Sequence, residues 1–115
     1  VQFIGINPND ATRYPDDSLE NMKIIAKEND FSFPYLIDPS QEVAKSYDAV
    51  CTPDLYVYGK NRKLVYRGRI DDNWEDSEKV TQQDLKLALE KTLSGEVITG
   101  EQIPSMGCSI KWKTI

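Results

Sequence analysis

Cys51 and Cys108 are the two cysteines of a 115-residue chain that contains no histidine, and together these counts set the chemistry the side chains support. Without histidine there is no Ser-His-Asp triad, no Cys-His pair and no histidine-ligated metal site. Two cysteines fall short of the roughly four Cys/His ligands of a structural zinc site and of a disulfide-dense scaffold. What remains for them is packing, one disulfide, or thiol redox chemistry. The reactive form of a cysteine is its thiolate, favoured by a nearby cation or a helix end. With no imidazole available, Lys45, Arg67 or a helix terminus would have to supply that effect.

Cys51 opens the run Cys51-Thr52-Pro53-Asp54. A free cysteine is most often a small buried hydrophobe, and that plain reading stands beside the redox one here. An X-Pro bond takes the cis form at a cost of only about 0.5–1 kcal/mol, so a cis proline that persists in a fold has usually been selected. Cys108 lies between Gly107 and Ser109 in the tail. It suits a resolving thiol, a disulfide partner for Cys51, or an inert tail cysteine. A Cys51–Cys108 bond would close a long loop and stabilise by about 4 kcal/mol on chain-entropy arithmetic. Asp71, Asp72, Glu75, Asp76 and Glu78 form an acidic cluster. Its spacing does not match a calcium-binding loop, and a solvated loop is expected.

Net charge is −5 and the sequence pI about 4.7, an electrostatic balance without a footprint for nucleic acid or anionic lipid. No apolar run approaches the ~20 residues that span a membrane, and no basic-then-apolar leader opens the chain. The expected location is cytoplasmic. No cofactor or metal is expected, and no nucleic-acid or membrane partner.

The elements that would position the cysteines can be read in order. Val1 to Ile6 is apolar and reads as a buried strand, ending in the polar run Asn7-Pro8-Asn9-Asp10. Ser18 can cap a helix in which Leu19, Met22, Ile25 and Ala26 form the apolar face. Phe31 to Ile37 is extended and punctuated by Pro34. Asp38-Pro39-Ser40-Gln41 predicts a short helix with Asp38 as cap and Pro39 in the first position, carrying Val43, Ala44 and Tyr47 inward. Leu55–Tyr58, the turn Gly59-Lys60-Asn61 and Lys63 to Ile70 predict a hairpin. Tyr56, Tyr58 and Tyr66 read as cross-strand packing. Thr81-Gln82-Gln83-Asp84 resembles a capping box opening a helix whose apolar set is Leu85, Leu87, Ala88, Leu89 and Leu93; Gly95 closes it. Strand–helix alternation implies parallel pairing, and the hairpin adds antiparallel strands, so the predicted sheet is mixed.

Five blocks carry a resemblance over nearly the whole chain. They are Ile4-Gly5-Ile6-Asn7-Pro8-Asn9-Asp10, Pro34-Tyr35-Leu36-Ile37-Asp38, Val50-Cys51-Thr52-Pro53-Asp54, Tyr66-Arg67-Gly68-Arg69-Ile70-Asp71-Asp72, and Pro104-Ser105-Met106-Gly107-Cys108-Ser109-Ile110-Lys111-Trp112. In this order they are similar to a branch of the AhpC/TSA redoxins, the peroxiredoxin-like members of the thioredoxin superfamily. The resemblance implies an α/β, thioredoxin-like three-layer fold with a mixed central sheet. Residues 1–95 would form the domain, and 96–115 a tail docked on it through Ile110 and Trp112, near the Cys51–Pro53 loop.

In that superfamily the proline of the Thr-Pro dipeptide is cis, and its loop faces the catalytic thiol and an extended substrate. The resemblance therefore makes Thr52 and Pro53 the substrate-facing loop, places Cys51 near the reactive centre, and leaves Cys108 as a candidate resolving thiol. Family members carry a Cys-x-x-Cys or related motif before the segment that opens here. The expectation is thus a domain lacking its first strand and first helix, from a thiol-disulfide oxidoreductase or thiol-dependent peroxidase whose catalytic cysteine lies upstream of Val1. Its partners would be a protein disulfide or a peroxide, and a thiol electron donor. The alternative is a non-catalytic thioredoxin-fold module that holds extended peptides on the Pro53 loop; the sequence preceding Val1 would discriminate the two.

Overall fold

The computed structural model describes residues 1–114, and the chain divides into two compact units. One comprises Val1–Ala49 together with the residues from Ile110 onward, the other Val50–Ser109.

In the first unit, β1 (Gly5–Asn7) runs parallel to β2 (Tyr35–Ile37), with Ile6 opposite Leu36. Both strands are shorter than the apolar runs that predict them. α1 (Leu19–Glu28) starts where the sequence places it, with the Ser18 hydroxyl accepting from the Asn21 N–H at 3.1 Å. Met22 is its buried residue, whereas Leu19 at the first turn is exposed.

α2 (Glu42–Ser46) begins later than Asp38-Pro39 predicts. Pro39 and Ser40 form a turn, and Gln41 adopts the left-handed conformation with φ of 63°. Asp38 still serves the helix start from a distance: its carboxylate accepts from the Ala44 N–H at 2.9 Å, and the Ser40 hydroxyl accepts from Glu42. Only Ala44 of the predicted inward set is buried; Val43 and Tyr47 are exposed.

Gln41, 2% exposed, explains its own unusual backbone. Its amide group donates to the carbonyls of Pro8 (2.7 Å) and Lys111 (3.0 Å) and accepts from the Lys113 N–H (3.0 Å). Asn9 accepts from the Lys111 N–H, and the Asp10 N–H donates to the Lys111 carbonyl. This polar clasp satisfies buried and partly buried backbone groups that no strand pairs, while Ile110 is buried and Lys45 lies over the Trp112 ring at 5.8 Å.

In the second unit, β4 (Leu55–Tyr58) and β5 (Leu64–Gly68) form the predicted hairpin, with Tyr56 opposite Arg67 and Val57 opposite Tyr66. α3 (Asp84–Leu93) packs on it, and Val57, Tyr66 and Ala88 make the core with Val65, Leu85, Leu89 and Ile98 around them. Two expectations are corrected here. Leu87 and Leu93 are 47% and 71% exposed; at 100° per residue Leu87 falls off the stripe of Leu85, Ala88 and Leu89, and Leu93 is the last residue of the helix. Thr81 is not the helix cap. Its N–H and hydroxyl both donate to the Asp72 carboxylate, which is thereby the organiser of a loop and not just a solvated charge. Gln83 stands at the cap position without a side-chain bond.

The tail segment before Ile110 seals the outer edge of β5. The Gln102 side chain imitates a strand: its carbonyl accepts from the Arg67 N–H at 3.0 Å and its amide donates to the Val65 carbonyl at 3.1 Å. The Arg69 N–H then donates to the Ile103 carbonyl, and the Ser105 hydroxyl to that of Gly68. An edge that would invite foreign strands is covered in this way. The last pairing is β3 (Cys51–Thr52) with β6 (Cys108–Ser109). The described residues thus pair in three two-stranded sheets, one parallel and two antiparallel. The expected parallel and antiparallel pairings both occur, but not in one continuous sheet.

Candidate functional site

The candidate site is built on the residues around Pro53, all within the second unit. The Thr52–Pro53 peptide bond, expected to be cis, is cis. Immediately before it, β3 pairs antiparallel with β6, so that Cys51 faces Ser109 and Thr52 faces Cys108. The Thr52 hydroxyl donates to the Cys108 carbonyl at 3.5 Å. Two residues before Ser109 the approach is closest: a Cβ on Gly107 would overlap the carbonyl oxygen and carbon of Thr52 and lie 3.3 Å from Cδ of Pro53. Glycine is required there by space rather than by φ.

Side chains of neighbouring residues in a strand point to opposite faces. In this register Cys51 shares a face with Ser109, and Cys108 shares the other with Thr52. The two thiols thus belong to neighbouring positions of one ladder and are directed apart. Both are free, Cys108 exposed and Cys51 partly covered. The Cys51 thiol points to the carbonyls of Pro53 (3.5 Å) and Ser105 (3.8 Å), contacts in which a protonated thiol donates.

Asp54 and Arg67 frame Cys51 electrostatically. The Asp54 carboxylate, 7% exposed, accepts from the Arg67 guanidinium through Nε at 3.3 Å and Nη2 at 3.0 Å, and from the Val50 N–H at 3.2 Å. The same guanidinium lies over the Tyr56 ring at 5.0 Å. Burial pushes the Cys51 thiol up, and Asp54 adds to that while Arg67 opposes it. Tyr56 is pushed up to about 12, mainly by burial and then by Asp54. Arg67 is in place to act on the thiol, but the carboxylate it grips cancels much of its charge. Among the described residues no group of three or more His, Cys, Asp or Glu side chains is arranged to hold a metal ion, and no helix is long and apolar enough to cross a membrane.

The sequence alone singled out Cys51, Thr52, Pro53 and Cys108. It named Arg67 merely as a cation and Tyr56 merely as cross-strand packing, and gave Asp54, Gln102 and Gly107 no role. The Tyr56–Arg67 juxtaposition follows once the hairpin register is known; the Gln102 strand mimic and the Gly107 contact leave no local signal.

Comparisons with known proteins bear on the family and the fold. The sequence profile of the AhpC/TSA family matches residues 1–67. No curated protein matches the chain significantly. Among solved structures, the chain is similar to an uncharacterized conserved protein from Geobacillus kaustophilus, with 51% identity and a TM-score of 0.91; the match covers 98% of this chain and 60% of that one. It is also similar to a hypothetical protein from Sinorhizobium meliloti 1021, with 42% identity and a TM-score of 0.91, covering 97% of this chain and 62% of that one. The chain thus spans about 60% of the length of the first of these structures.

Proposed function

The chain belongs to the AhpC/TSA family, and from that premise we propose that it is the greater part of a thiol-dependent oxidoreductase whose nucleophilic cysteine precedes Val1. Residues 1–95 are the thioredoxin-like domain in this reading and 96–115 its tail. The observation that carries it is the pairing of Cys108 with Thr52, which brings an exposed thiol beside the loop that in thioredoxin-like proteins faces the reactive cysteine.

The roles divide as follows. Thr52 and Pro53 form the substrate-facing loop. Cys108 is the second, resolving thiol. Cys51 is held as a thiol by burial and by Asp54, which suits a group that lines the site more than one that attacks. With a hydroperoxide, the upstream thiolate attacks one peroxide oxygen; the O–O bond breaks, leaving a sulfenic acid and, after protonation, an alcohol. The Cys108 thiol then attacks the sulfenic sulfur, a disulfide forms and water leaves. With a protein disulfide as substrate, the same two thiols act by exchange through a mixed disulfide. A cytoplasmic thiol donor restores both in either case.

The test is direct. The 115-residue chain should neither consume hydroperoxide nor reduce insulin disulfides at the rate of a complete redoxin. Rapid turnover abolished by Cys51→Ser or Cys108→Ser would place the nucleophile within this chain and refute the assignment.

A further inference from the structure

We infer that Asp54 is a positioning residue: its carboxylate ties the two flanks of β3 to each other and to β5, and so fixes the ladder on which Cys108 stands for the resolving step. The inference rests on the redox reading above and assigns a residue to its second half-reaction. β3 is two residues long, too short to set its own place. Asp54 follows it by two residues, and its carboxylate accepts from the N–H of Val50, the residue before β3, at 3.2 Å. One side chain thus closes the segment from Val50 to Asp54. The same carboxylate accepts from Nε and Nη2 of Arg67 at 3.3 and 3.0 Å. Arg67 belongs to β5, and its own backbone N–H is held by the Gln102 side chain. The Tyr56 hydroxyl of β4 is bonded to Asp54 as well. With its side chain 7% exposed, Asp54 is a largely buried node joining β3 to the hairpin.

Cys108 takes its position from that node. It pairs with Thr52, whose hydroxyl donates to its carbonyl, and Gly107 packs on the Thr52 carbonyl. The tail is bonded to β5 and its end through Gln102, Ile103 and Ser105; three residues further on, the pairing with β3 places Cys108. In the resolving step the Cys108 thiol loses its proton and its sulfur attacks the sulfenic sulfur of the upstream cysteine. The S–O bond breaks, the disulfide forms, and the oxygen leaves as water. Such an attack depends on placement, and a shift of about 1 Å can cost about a hundredfold in rate. The first step, attack of the upstream thiolate on the peroxide, does not use Cys108. Asp54 touches none of the reacting atoms, so its effect falls on the second step.

Single-turnover kinetics of the complete protein test it, in a Cys51→Ser background so that Cys51 cannot compete as the resolving thiol. After one equivalent of hydroperoxide, peroxide loss reports the first step. Dimedone trapping over time follows the sulfenic acid, and intact-mass analysis with peptide mapping follows the Cys108 disulfide. Asp54→Ala should slow disulfide formation about tenfold more than it slows peroxide loss, and so prolong the trappable sulfenic acid. Asp54→Asn, which keeps an oxygen for the Val50 N–H, should fall between Asp54→Ala and the parent. A Cys108 disulfide that forms in Asp54→Ala at the parent's rate overturns the positioning role, as do two steps slowed equally, the mark of a general loosening; either result leaves the redox reading standing. Should Asp54→Ala fail to fold, Asp54→Asn decides by the same two rates. No Cys108 disulfide in the parent itself would overturn the redox reading, and the inference with it.

Discussion

Cys51 and Cys108 stand one register step apart in a single two-stranded ladder, and their side chains leave it on opposite faces. A disulfide needs Cβ atoms about 3.5–4.5 Å apart and turned toward each other. The ladder denies this pair that geometry while its backbone pairing holds. Mild oxidation of the chain with diamide should therefore produce a dimer linked through Cys108, the exposed thiol, ahead of an internal Cys51–Cys108 bond. Non-reducing electrophoresis with intact-mass analysis checks it. Cys108→Ser should abolish the dimer and Cys51→Ser should leave it; a rapidly formed internal bridge in the monomer would show that the ladder opens freely.

Asp54→Asn should move Cys51 and weaken the second unit together. The carboxylate raises the thiol pKa and Arg67 lowers it, so removing the negative charge leaves the guanidinium unopposed. The pH midpoint of Cys51 alkylation, measured in a Cys108→Ser background, should shift downward. Arg67 is about a third exposed, so the lost pair is partly made good by water, and the stability cost should be about 1–2 kcal/mol. A midpoint that rises would reverse the electrostatic assignment.

Asp72 confers an acid dependence with a defined sign. Thr81 donates to its carboxylate from both the hydroxyl and the backbone, which holds the carboxyl at about 2. An unfolded aspartate titrates near 3.9. A depressed folded value stabilises the fold above the unfolded pKa, and the contribution disappears as pH falls from about 4 to about 2. Thermal melts of wild type and Asp72→Asn should therefore differ near neutral pH and converge at the acid end. Curves separated by the same interval throughout would show that the Thr81 contacts do not depend on charge.

Ile110→Ala probes the anchoring of the tail in the first unit. Ile110 is buried, and its truncation removes buried apolar volume and leaves a cavity. The expected cost is about 2–4 kcal/mol in denaturant unfolding. A change under about 0.5 kcal/mol, the size of an ordinary surface substitution, would mean that the clasp alone holds the segment.

Elements with a strong local signature were legible in the sequence. The Ser18 cap, the α1 and α3 periodicities and the Leu55–Tyr58 hairpin rest on contacts between near neighbours, which composition and spacing record. The misplaced features depend on distant partners. Thr81 satisfies its donors on Asp72, nine residues back, so no capping box forms. Asp38 caps α2 across a turn that the left-handed Gln41 makes, and Gln41 adopts that backbone because its buried amide bonds Pro8 and Lys111. The site divides in the same way. Cys51, Thr52 and Pro53 are adjacent and readable, whereas the approach of Gly107 and the grip of Arg67 on Asp54 arise from strand register.

Disulfide mapping of the complete protein after one equivalent of hydroperoxide tests the central claim, that Cys108 is the second thiol of a nucleophile lying before Val1. Digestion and mass spectrometry should recover Cys108 joined to a cysteine N-terminal to Val1, with Cys51 still a free thiol. Recovery of Cys108 unmodified, or of a Cys51–Cys108 peptide as the main product, would contradict it.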